Sequence, residues 1–273
     1  MIDWNDLAPE HLNILDSPIS ERELADAHNE AANAILRGLA ATLNQSPIVI
    51  ASISEKRQEF LNTNPYGRAV VDKSVDEVAW LEARRQGVTA TEVSKLAQGQ
   101  PAQRRNILEE KLTGERSFLG NKYTDFGLER EPFIAAQLEA EFGFKASDVL
   151  FHAEEDVRHL ATPDGVLLNA DGTIFIAEIK TGSKDLHPDG EAFRKSTYMD
   201  QMQWQMYVIG SNCKRCLFAW EQHDNVWVLG EDGRERPTPL PLKWVWVERD
   251  EPRIDYLIGL ADEFLADMDW NAA

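Results

Sequence analysis

Stretches with helical periodicity alternate along the chain with short apolar runs that have the period of a strand. In the first part, a capping-box spacing followed by an apolar stripe predicts a helix over residues 20–43, and a second helix is predicted over 53–62. An approximate domain boundary is predicted near residue 75. We therefore expect residues 1–75 to form a helical N-terminal extension and residues 76–273 to form a separate domain.

The remainder combines helices with a cluster of strands. The predicted helices cover 74–87, 89–99, part of 125–143, 195–210 and 253–269, and the predicted strands outside the central hairpin cover 215–222, 225–230 and 243–250. Thr89 or Thr91 is the expected cap of the second of these helices. Pro132 fits the first turn of the third, in which Phe133, Leu138 and Phe142 would face the core. This order of elements predicts a mixed α/β fold.

The helix over 195–210 has two distinguishable faces. One is an apolar stripe, expected in the core, made of Met199, Met202, Met206 and Ile209. Another carries Tyr198, Gln201 and Gln205 at spacings of three and four residues. By residue type alone, these three are interpreted as surface polar residues.

The segment "ATPDGVLLNADGTIFIAEIKTG" (161–182) predicts a β-hairpin with ionisable residues in its strands. A three-residue loop, Ala170–Gly172, would use Gly172 as its left-handed residue. In that register Asp164 lies directly opposite Glu178. A two-residue Asp-Gly loop would shift the pairing by one.

Side-chain alternation places Glu178 and Lys180 on one face of the second strand, and Asp164 is expected to join them. Directly opposite residues have Cβ atoms roughly 4.5–5.5 Å apart, so two carboxylates there repel each other and need a cation between them or a raised pKa. Lys180 would supply part of that positive charge, and a divalent metal ion would supply it better. Oxygen ligands favour Mg²⁺ or Mn²⁺. The alternative is a solvated sheet face with an ordinary Glu–Lys pair. Because "TIFIA" is apolar on both faces, we favour a buried central strand.

Composition and net charge limit the classes of protein that fit this interpretation. Hydrophobic residues make up 43% and charged residues 27%, as in ordinary globular proteins, and the net charge of -19 argues against a protein that coats nucleic acid. A nucleic acid would have to contact local clusters of Lys and Arg. The sequence has neither a long apolar run nor a signal pattern, so a cytoplasmic location is expected. Cys213 and Cys216 lack a second Cys pair and are interpreted as reduced thiols.

The spacing of "TPDG" and "EIK", with 13 residues between Asp164 and Glu178, resembles the core motif of PD-(D/E)xK nucleases. Four more stretches resemble the lambda exonuclease and YqaJ viral recombinase family: "WLEARRQGVTATEV", "GLEREP", "YMDQMQWQMYV" and "VWVERDE". The resemblance covers about residues 76–268. It implies a restriction-endonuclease-like core, with a central mixed β-sheet flanked by helices.

The resemblance also implies a role for each motif residue. Asp164, Glu178 and the backbone carbonyl of Ile179 would bind Mg²⁺, for which Mn²⁺ would substitute. Lys180 would orient or deprotonate the attacking water and offset charge on the phosphate. Glu131 would hold a second metal ion or the water. Glu129 is the competing choice, although its position also fits an exposed carboxylate at a helix start.

A second group of residues would bind DNA. By resemblance, Arg84 contacts the terminal 5′-phosphate, with Arg85 as the alternative if the register slips by one. Thr91 offers a hydroxyl at a helix start, and Tyr198 and Gln201 would border the active site. The alternative interpretation of Arg84, Arg85 and Thr91 is a solvated helix end with its cap.

The function implied is a Mg²⁺-dependent exonuclease that degrades one strand of linear duplex DNA from a 5′ end and leaves 3′ overhangs. A single-strand annealing protein is the implied partner, and a homo-oligomeric ring, commonly a trimer, is the implied assembly. The alternatives are an endonuclease or repair nuclease of other polarity, and a non-catalytic module that binds DNA ends or a partner. The loop 183–196 either touches DNA or is simply solvated. His152 and His159 are either metal ligands or structural histidines.

Overall fold

A computed structural model describes residues 68–114 and 120–272 of the 273-residue chain. The helices are α1 (Glu77–Gln86), α2 (Ala90–Leu96), α3 (Pro101–Thr113), α4 (Lys122–Phe142), α5 (Glu191–Arg194), α6 (Tyr198–Ile209) and α7 (Glu251–Ala272). The strands are β1 (Ala69–Asp72), β2 (Val88–Thr89), β3 (Lys145–Ala146), β4 (Val149–His152), β5 (His159–Ala161), β6 (Gly165–Leu168), β7 (Ile174–Gly182), β8 (Cys213–Gln222), β9 (Val228–Leu229), β10 (Glu235–Arg236) and β11 (Lys243–Glu248). The helices predicted over 20–43 and 53–62 lie outside the described residues.

The first helices begin at polar caps, as expected. The Asp76 side chain accepts a hydrogen bond from the Ala79 N–H at the start of α1. Thr89, not Thr91, is the cap of α2, because Glu92 Oε2 accepts from both the N–H and the hydroxyl of Thr89 at 2.8 Å. Helix α3 was not predicted from the sequence. Only Ile107 and Lys111 are buried along it, so it has almost no apolar periodicity.

Helix α4 corrects two predictions. It begins at Lys122 after the cap Asn121, so Pro132 lies in the helix interior and not in the first turn. Phe133 was expected in the core and is 58% exposed, whereas Leu138 is buried as predicted. Pro132 supplies no N–H to the helix, and the turn before it therefore lacks one backbone hydrogen bond.

The central sheet has five strands in the order β11-β8-β7-β6-β3. Strands β7 and β8 are parallel and the other pairs antiparallel, so the sheet is mixed, as predicted. Helix α4 packs on one face, where Ile134 and Leu138 join the core cluster of Ala177 and Ile179. The predicted strand over 225–230 is much shorter in the structure, since β9 spans only two exposed residues.

Helix α6 connects β7 to β8 and lies between two sheets. It packs on the central sheet and on a second sheet with the order β1-β4-β5-β2. Because α6 is covered on several sides, Gln201 and Gln205 are 7% and 3% exposed, and their interpretation as surface residues is wrong. Met199, expected in the core, is 38% exposed.

Strand β1 precedes the predicted domain boundary near residue 75 and pairs with β4. The helical character of residues 1–75 stays a prediction. Both cysteines are buried free thiols, and burial raises the pKa of Cys213 to about 12, so this thiol is protonated at neutral pH. None of the helices within 68–114 and 120–272 has the length and apolar content that a membrane crossing requires.

Candidate active site

The hairpin has the register predicted for a three-residue loop. Gly172 adopts a φ of 83°, and Gly165 pairs with Ala177, which places the next residue outward, Asp164, opposite Glu178. The Asp164 N–H donates to the Ala177 carbonyl at 3.1 Å. The loop geometry therefore positions the aspartate beside the glutamate without help from any other element.

The three charged side chains meet at one point of the central strand. Glu178 is 2% exposed, and the Lys180 ammonium pairs with its carboxylate. Lys180 Nζ also donates to the Ile179 carbonyl at 3.1 Å, while Asp164 Oδ2 accepts from the Ile179 N–H at 2.6 Å. Since β7 is flanked by β6 and β8 and the glutamate is buried, the alternative of a solvated sheet face is wrong.

These groups perturb one another strongly. Burial first, and then the charge of Glu178, raises the pKa of Asp164 well above its usual value, against the opposing effect of Lys180. Burial alone would lower the pKa of Lys180, but the carboxylates of Glu178 and Asp164 outweigh it and raise that pKa. Lys180 is therefore a cation at neutral pH, and it compensates only part of the negative charge of the cluster.

Glu131 reaches the same cluster from helix α4. Burial raises its pKa, and the nearby charges include Asp148 and Glu178, which raise it further, and Lys180 and Lys73, which lower it. Glu131 and Lys180 line a cleft of about 340 Å³. The cleft is also lined by Tyr123, Thr124, Gly127, Leu128, Ile179 and Thr181.

Glu129, the competing choice, pairs with Arg236, which is not part of the cluster. Its Oε1 accepts from Arg236 Nε at 2.5 Å, and the two form an ion pair. Of the two glutamates, the structure therefore brings Glu131 and not Glu129 into the cluster. Glu129 lies in the helix interior, whereas an exposed helix start was expected for it.

Gln205 is a site residue to which the sequence motifs gave no role. Its Nε2 donates to Glu178 Oε2 at 2.6 Å, and its own Oε1 is buried without a hydrogen-bond partner. The signal in the sequence is its position on the face of α6 that also carries Tyr198 and Gln201. A buried amide that donates to a carboxylate fixes the rotamer of that carboxylate and stabilises its charged form.

Tyr198 and Gln201 differ in how close they lie to the charged cluster. The Lys180 ammonium lies 5.5 Å from the centre of the Tyr198 ring, so Tyr198 does border the cluster. Gln201 Nε2 donates to Thr197 Oγ1 at 2.8 Å within its own helix turn. The direct contact with a carboxylate of the charged cluster, that of Glu178, belongs to Gln205, one turn further on.

Arg84 and Arg85 line a different cavity, of about 680 Å³. The other cations of its lining are Lys73, Lys95 and Lys111, and its acids are Glu77, Glu82, Glu92 and Glu110. The Arg84 guanidinium lies 4.2 Å from the centre of the Trp80 ring, whereas Arg85 is bound to Glu82 at 2.8 Å. Lys73 belongs to this lining, and its charge also lowers the pKa of Glu131.

Two residues differ from the sequence predictions for this cavity: Lys111 was given no role, and Thr91 was expected to offer its hydroxyl to DNA. Lys111 is buried, pairs with Glu92 at 2.7 Å and donates to the Arg84 carbonyl at 2.5 Å, which fixes the backbone of the arginine pair. It lies on the unpredicted helix α3. Thr91 is exposed and is absent from the described lining of either cavity.

Comparison with known proteins identifies the family. Residues 79–212, which contain the cluster and the arginine pair, match the model of the YqaJ-like viral recombinase domain. The chain carries a YqaJ-like domain. The predicted family, the lambda exonuclease and YqaJ group, is therefore confirmed, and with it the predicted class, a nuclease of the lambda exonuclease type.

Solved structures agree on the fold of the YqaJ-like domain. Two crystal structures of the alkaline exonuclease LHK-Exo from Laribacter hongkongensis, one of them in complex with dAMP, align with a TM-score of 0.53. The alignments cover 71% of this chain and 93% of theirs, at 23% and 24% sequence identity. A search of curated protein sequences finds no match. The predicted restriction-endonuclease-like core is thus confirmed.

The charged cluster of the YqaJ-like domain fits a hard divalent cation. Asp164, Glu178 and the Ile179 carbonyl provide oxygen donors only, which is the set that Mg²⁺ and Mn²⁺ prefer. Burial, and then the charge of Glu178, raises the pKa of Asp164, and the two carboxylates face the single positive charge of Lys180, which leaves an excess of negative charge. A bound cation would remove that excess.

The remaining candidates lie outside the cluster. His152 Nδ1 is 2.7 Å from the Ala153 carbonyl oxygen, and His159 packs on Trp204 and Tyr207, residues of α6 other than those that face Glu178. The basic residues of the loop 183–196 are partly engaged within it. Lys195 pairs with Glu191, and Arg194 donates to the Asp189 carbonyl, so its contact with DNA stays a prediction.

Proposed function

We propose that this chain is a Mg²⁺-dependent exonuclease that degrades one strand of linear double-stranded DNA from a 5′ end and produces 3′ overhangs. The observation that carries the proposal is the buried cluster of Asp164, Glu178 and Lys180 on the central strand, joined by Glu131. A protein that only binds DNA ends has no need of buried carboxylates that repel each other.

Asp164, Glu178 and the Ile179 carbonyl would hold the divalent ion. When bound, it would supply Lewis-acid activation of a water molecule and charge stabilisation of the leaving oxygen. Gln205 holds Glu178 in one rotamer for this purpose. Glu131 faces the same cleft and would bind the water or a second ion; burial, and then the charge of Asp148, raises its pKa.

Lys180 acts first as a cation that offsets charge on the scissile phosphate. Its raised pKa depends on two ionised carboxylates. With those carboxylates neutralised, burial acts unopposed and lowers the pKa of Lys180, which is the condition for accepting a proton from water. Tyr198, whose ring lies beside the ammonium, limits the directions in which it can move.

The cavity with Arg84 and Arg85 is the proposed site of the terminal 5′-phosphate. Both guanidinium groups can hold phosphate oxygens in a bidentate way. Arg84 is the first choice because of the family resemblance, and phosphate binding by Arg85 would have to displace the carboxylate of Glu82. Lys73 lines this cavity and its charge acts on Glu131, which supports a path from the terminal phosphate to the scissile bond.

The direct test uses linear duplex DNA labelled at either the 5′ or the 3′ end, with Mg²⁺ present. The proposal predicts that a 5′ label is released early as mononucleotide and a 3′ label persists on a long strand. Closed circular DNA should stay intact. Cutting of the circle would favour the endonuclease alternative, and early release of the 3′ label would reverse the polarity.

Lys180→Ala is the matched inactive variant and should abolish hydrolysis of the linear duplex. Circular dichroism in Mg²⁺ checks that the variant is folded, because loss of one partner from a buried ion pair is destabilising. Full activity in a folded Lys180→Ala protein would refute the mechanism. Mg²⁺ titration by calorimetry, with Glu178→Ala as control, separates an enzyme from a module that only binds DNA.

We further propose a homo-oligomeric ring, a trimer by analogy with the family, that works with a single-strand annealing protein in the cytoplasm of a bacterial host or phage-infected cell. Size-exclusion chromatography with light scattering measures the assembly, and co-elution with a purified annealing protein tests the partnership. A monomer of full activity would contradict the ring.

A further inference from the structure

A second cluster of metal-ligand side chains lies where β5 meets helix α7. It contains His159 at the start of β5, Asp156 in the loop before it, and Asp262 on α7. One ligand atom from each lies within 4.8 Å of the others. His159 is 1% exposed, and the Asp262 side chain is 59% exposed, so the cluster reaches from the interior to the surface.

The two nitrogens of His159 have different surroundings. Nδ1 is 2.9 Å from the Tyr207 hydroxyl. Nε2 is buried without a hydrogen-bond partner, although it lies 3.2 Å from Asp262 Oδ1. A buried polar atom without a partner is rare, and each one calls for a specific explanation.

Tyr207 defines the tautomer of His159 in which a metal can bind. When the Tyr207 oxygen accepts Nδ1–H of His159, the Nε2 lone pair faces Asp156 and Asp262. In that tautomer a cation among the three ligand atoms is stabilising, because the lone pair and the two carboxylates repel one another.

We propose that Asp156, His159 and Asp262 form a second divalent metal site, selective for Zn²⁺ over Mg²⁺. One imidazole and two carboxylates are a ligand set typical of zinc, with water as the fourth ligand, whereas Mg²⁺ prefers oxygen alone. Zn–N and Zn–O bonds of ~2.1 Å in a tetrahedron place ligand atoms about 3.4 Å apart. The exposed Asp262 side chain has the freedom to close that gap.

The hydrogen bonds around the ligands support this arrangement. Tyr207 orients the imidazole through its other nitrogen, as outer partners of metal-bound histidines do. Asp156 Oδ1 accepts from the Arg158 N–H at 2.7 Å, and the Arg158 guanidinium is 3.7 Å away. That guanidinium also pairs with Asp269 at 3.0 Å, so its charge is divided between two carboxylates.

The site is separate from the catalytic cluster. The main charges acting on His159 are Asp156, Asp262, Arg158 and Glu155, and those acting on Asp164 are Glu178, Lys180 and Glu131. No group belongs to both sets. A metal ion here would tie α7 to β5 and the preceding loop, and its role would be structural.

The test is calorimetric titration of Zn²⁺ into the full-length protein in excess Mg²⁺, which occupies oxygen-only sites. Asp262→Asn removes one ligand at an exposed position, and Asp255→Asn, an exposed aspartate on the same helix, is the matched control. We expect tight Zn²⁺ binding by the wild type and by the Asp255 variant, and affinity about tenfold lower or worse for the Asp262 variant.

A second measurement does not depend on any variant. In wild-type protein labelled with ¹⁵N-histidine, Zn²⁺ should shift the Nε2 resonance of His159 and leave its Nδ1 protonated. Zn²⁺ should also raise the melting temperature of the wild type more than that of Asp262→Asn. The proposal is overturned if the wild type binds no Zn²⁺ in excess Mg²⁺, if the Asp262 variant binds it equally well, or if the His159 resonance does not move.

Discussion

Replacing Gln205 by methionine is the most direct test of how the catalytic carboxylates are held. The substitution conserves length but removes the Nε2–H that Glu178 Oε2 accepts at 2.6 Å in a buried position. A hydrogen bond to a charged group contributes ~1.5–3 kcal/mol. Converted at ~1.4 kcal/mol per factor of ten, this corresponds to about 10- to 100-fold in metal affinity or activity.

The effect should fall on metal binding and not on folding. Gln205→Met leaves one oxygen of Glu178 without its donor, but it also removes the Oε1 atom that is buried without a partner, and these two changes oppose each other in the folded state. We therefore expect a melting temperature close to that of the wild type. The concentration of Mg²⁺ that half-saturates hydrolysis of linear duplex DNA should rise.

Gln201→Met is the matched control for this experiment. It changes the same residue type on the same helix, also buried, but its amide bonds only Thr197. It should leave the Mg²⁺ dependence unchanged. The reasoning fails if Gln205→Met has the Mg²⁺ dependence of the wild type, or if Gln201→Met shifts it as much.

Three further outcomes follow from the same geometry. Burial and a neighbouring carboxylate raise the pKa of Asp164, so protons compete with the metal for this carboxylate. The half-saturating Mg²⁺ concentration should therefore rise as the pH falls, by up to about tenfold per pH unit for each displaced proton. A half-saturating concentration that does not depend on pH would contradict this. Arg84→Ala should reduce the preference for 5′-phosphorylated over 5′-hydroxyl ends about tenfold, and Arg85→Ala should reduce it less; equal loss in both would place the phosphate between them. Lys111→Met should lower the free energy of unfolding in urea by ~1–3 kcal/mol, with partial recovery on adding Glu92→Gln; no recovery would show that their ion pair is not the cause.

The hairpin was predictable because its determinants are local. Gly172 fixes the loop, the loop fixes the register, and the register places Asp164 opposite Glu178. Alternation along β7 then fixes the side of Lys180. None of these steps needs knowledge of another element, and for that reason the core of the site could be inferred from one short segment.

The errors have a common cause, which is that burial depends on distant elements. Gln205 has the residue type of a surface position, and it is buried because α6 lies between two sheets, one of which is built partly from the short strands β2 and β5. Lys111 lies on a helix without apolar periodicity. Pro132 is a helix-start residue by local preference, yet the cap at Asn121 starts the helix three turns earlier.

The way in which the cations are held reconciles DNA binding with a strongly acidic chain. Arg85 and Lys111 in the larger cavity are bound to Glu82 and Glu92, and Lys180 is bound to Glu178. A phosphate that binds Arg85 would exchange one ion pair for another, so long-range attraction would add little to binding there. Capture of a terminal phosphate would gain from such an exchange, since a dianionic terminal phosphate competes with a carboxylate better than a monoanionic internal phosphate does. Weak binding to internal DNA and selective binding to ends would then be two results of the same charge arrangement.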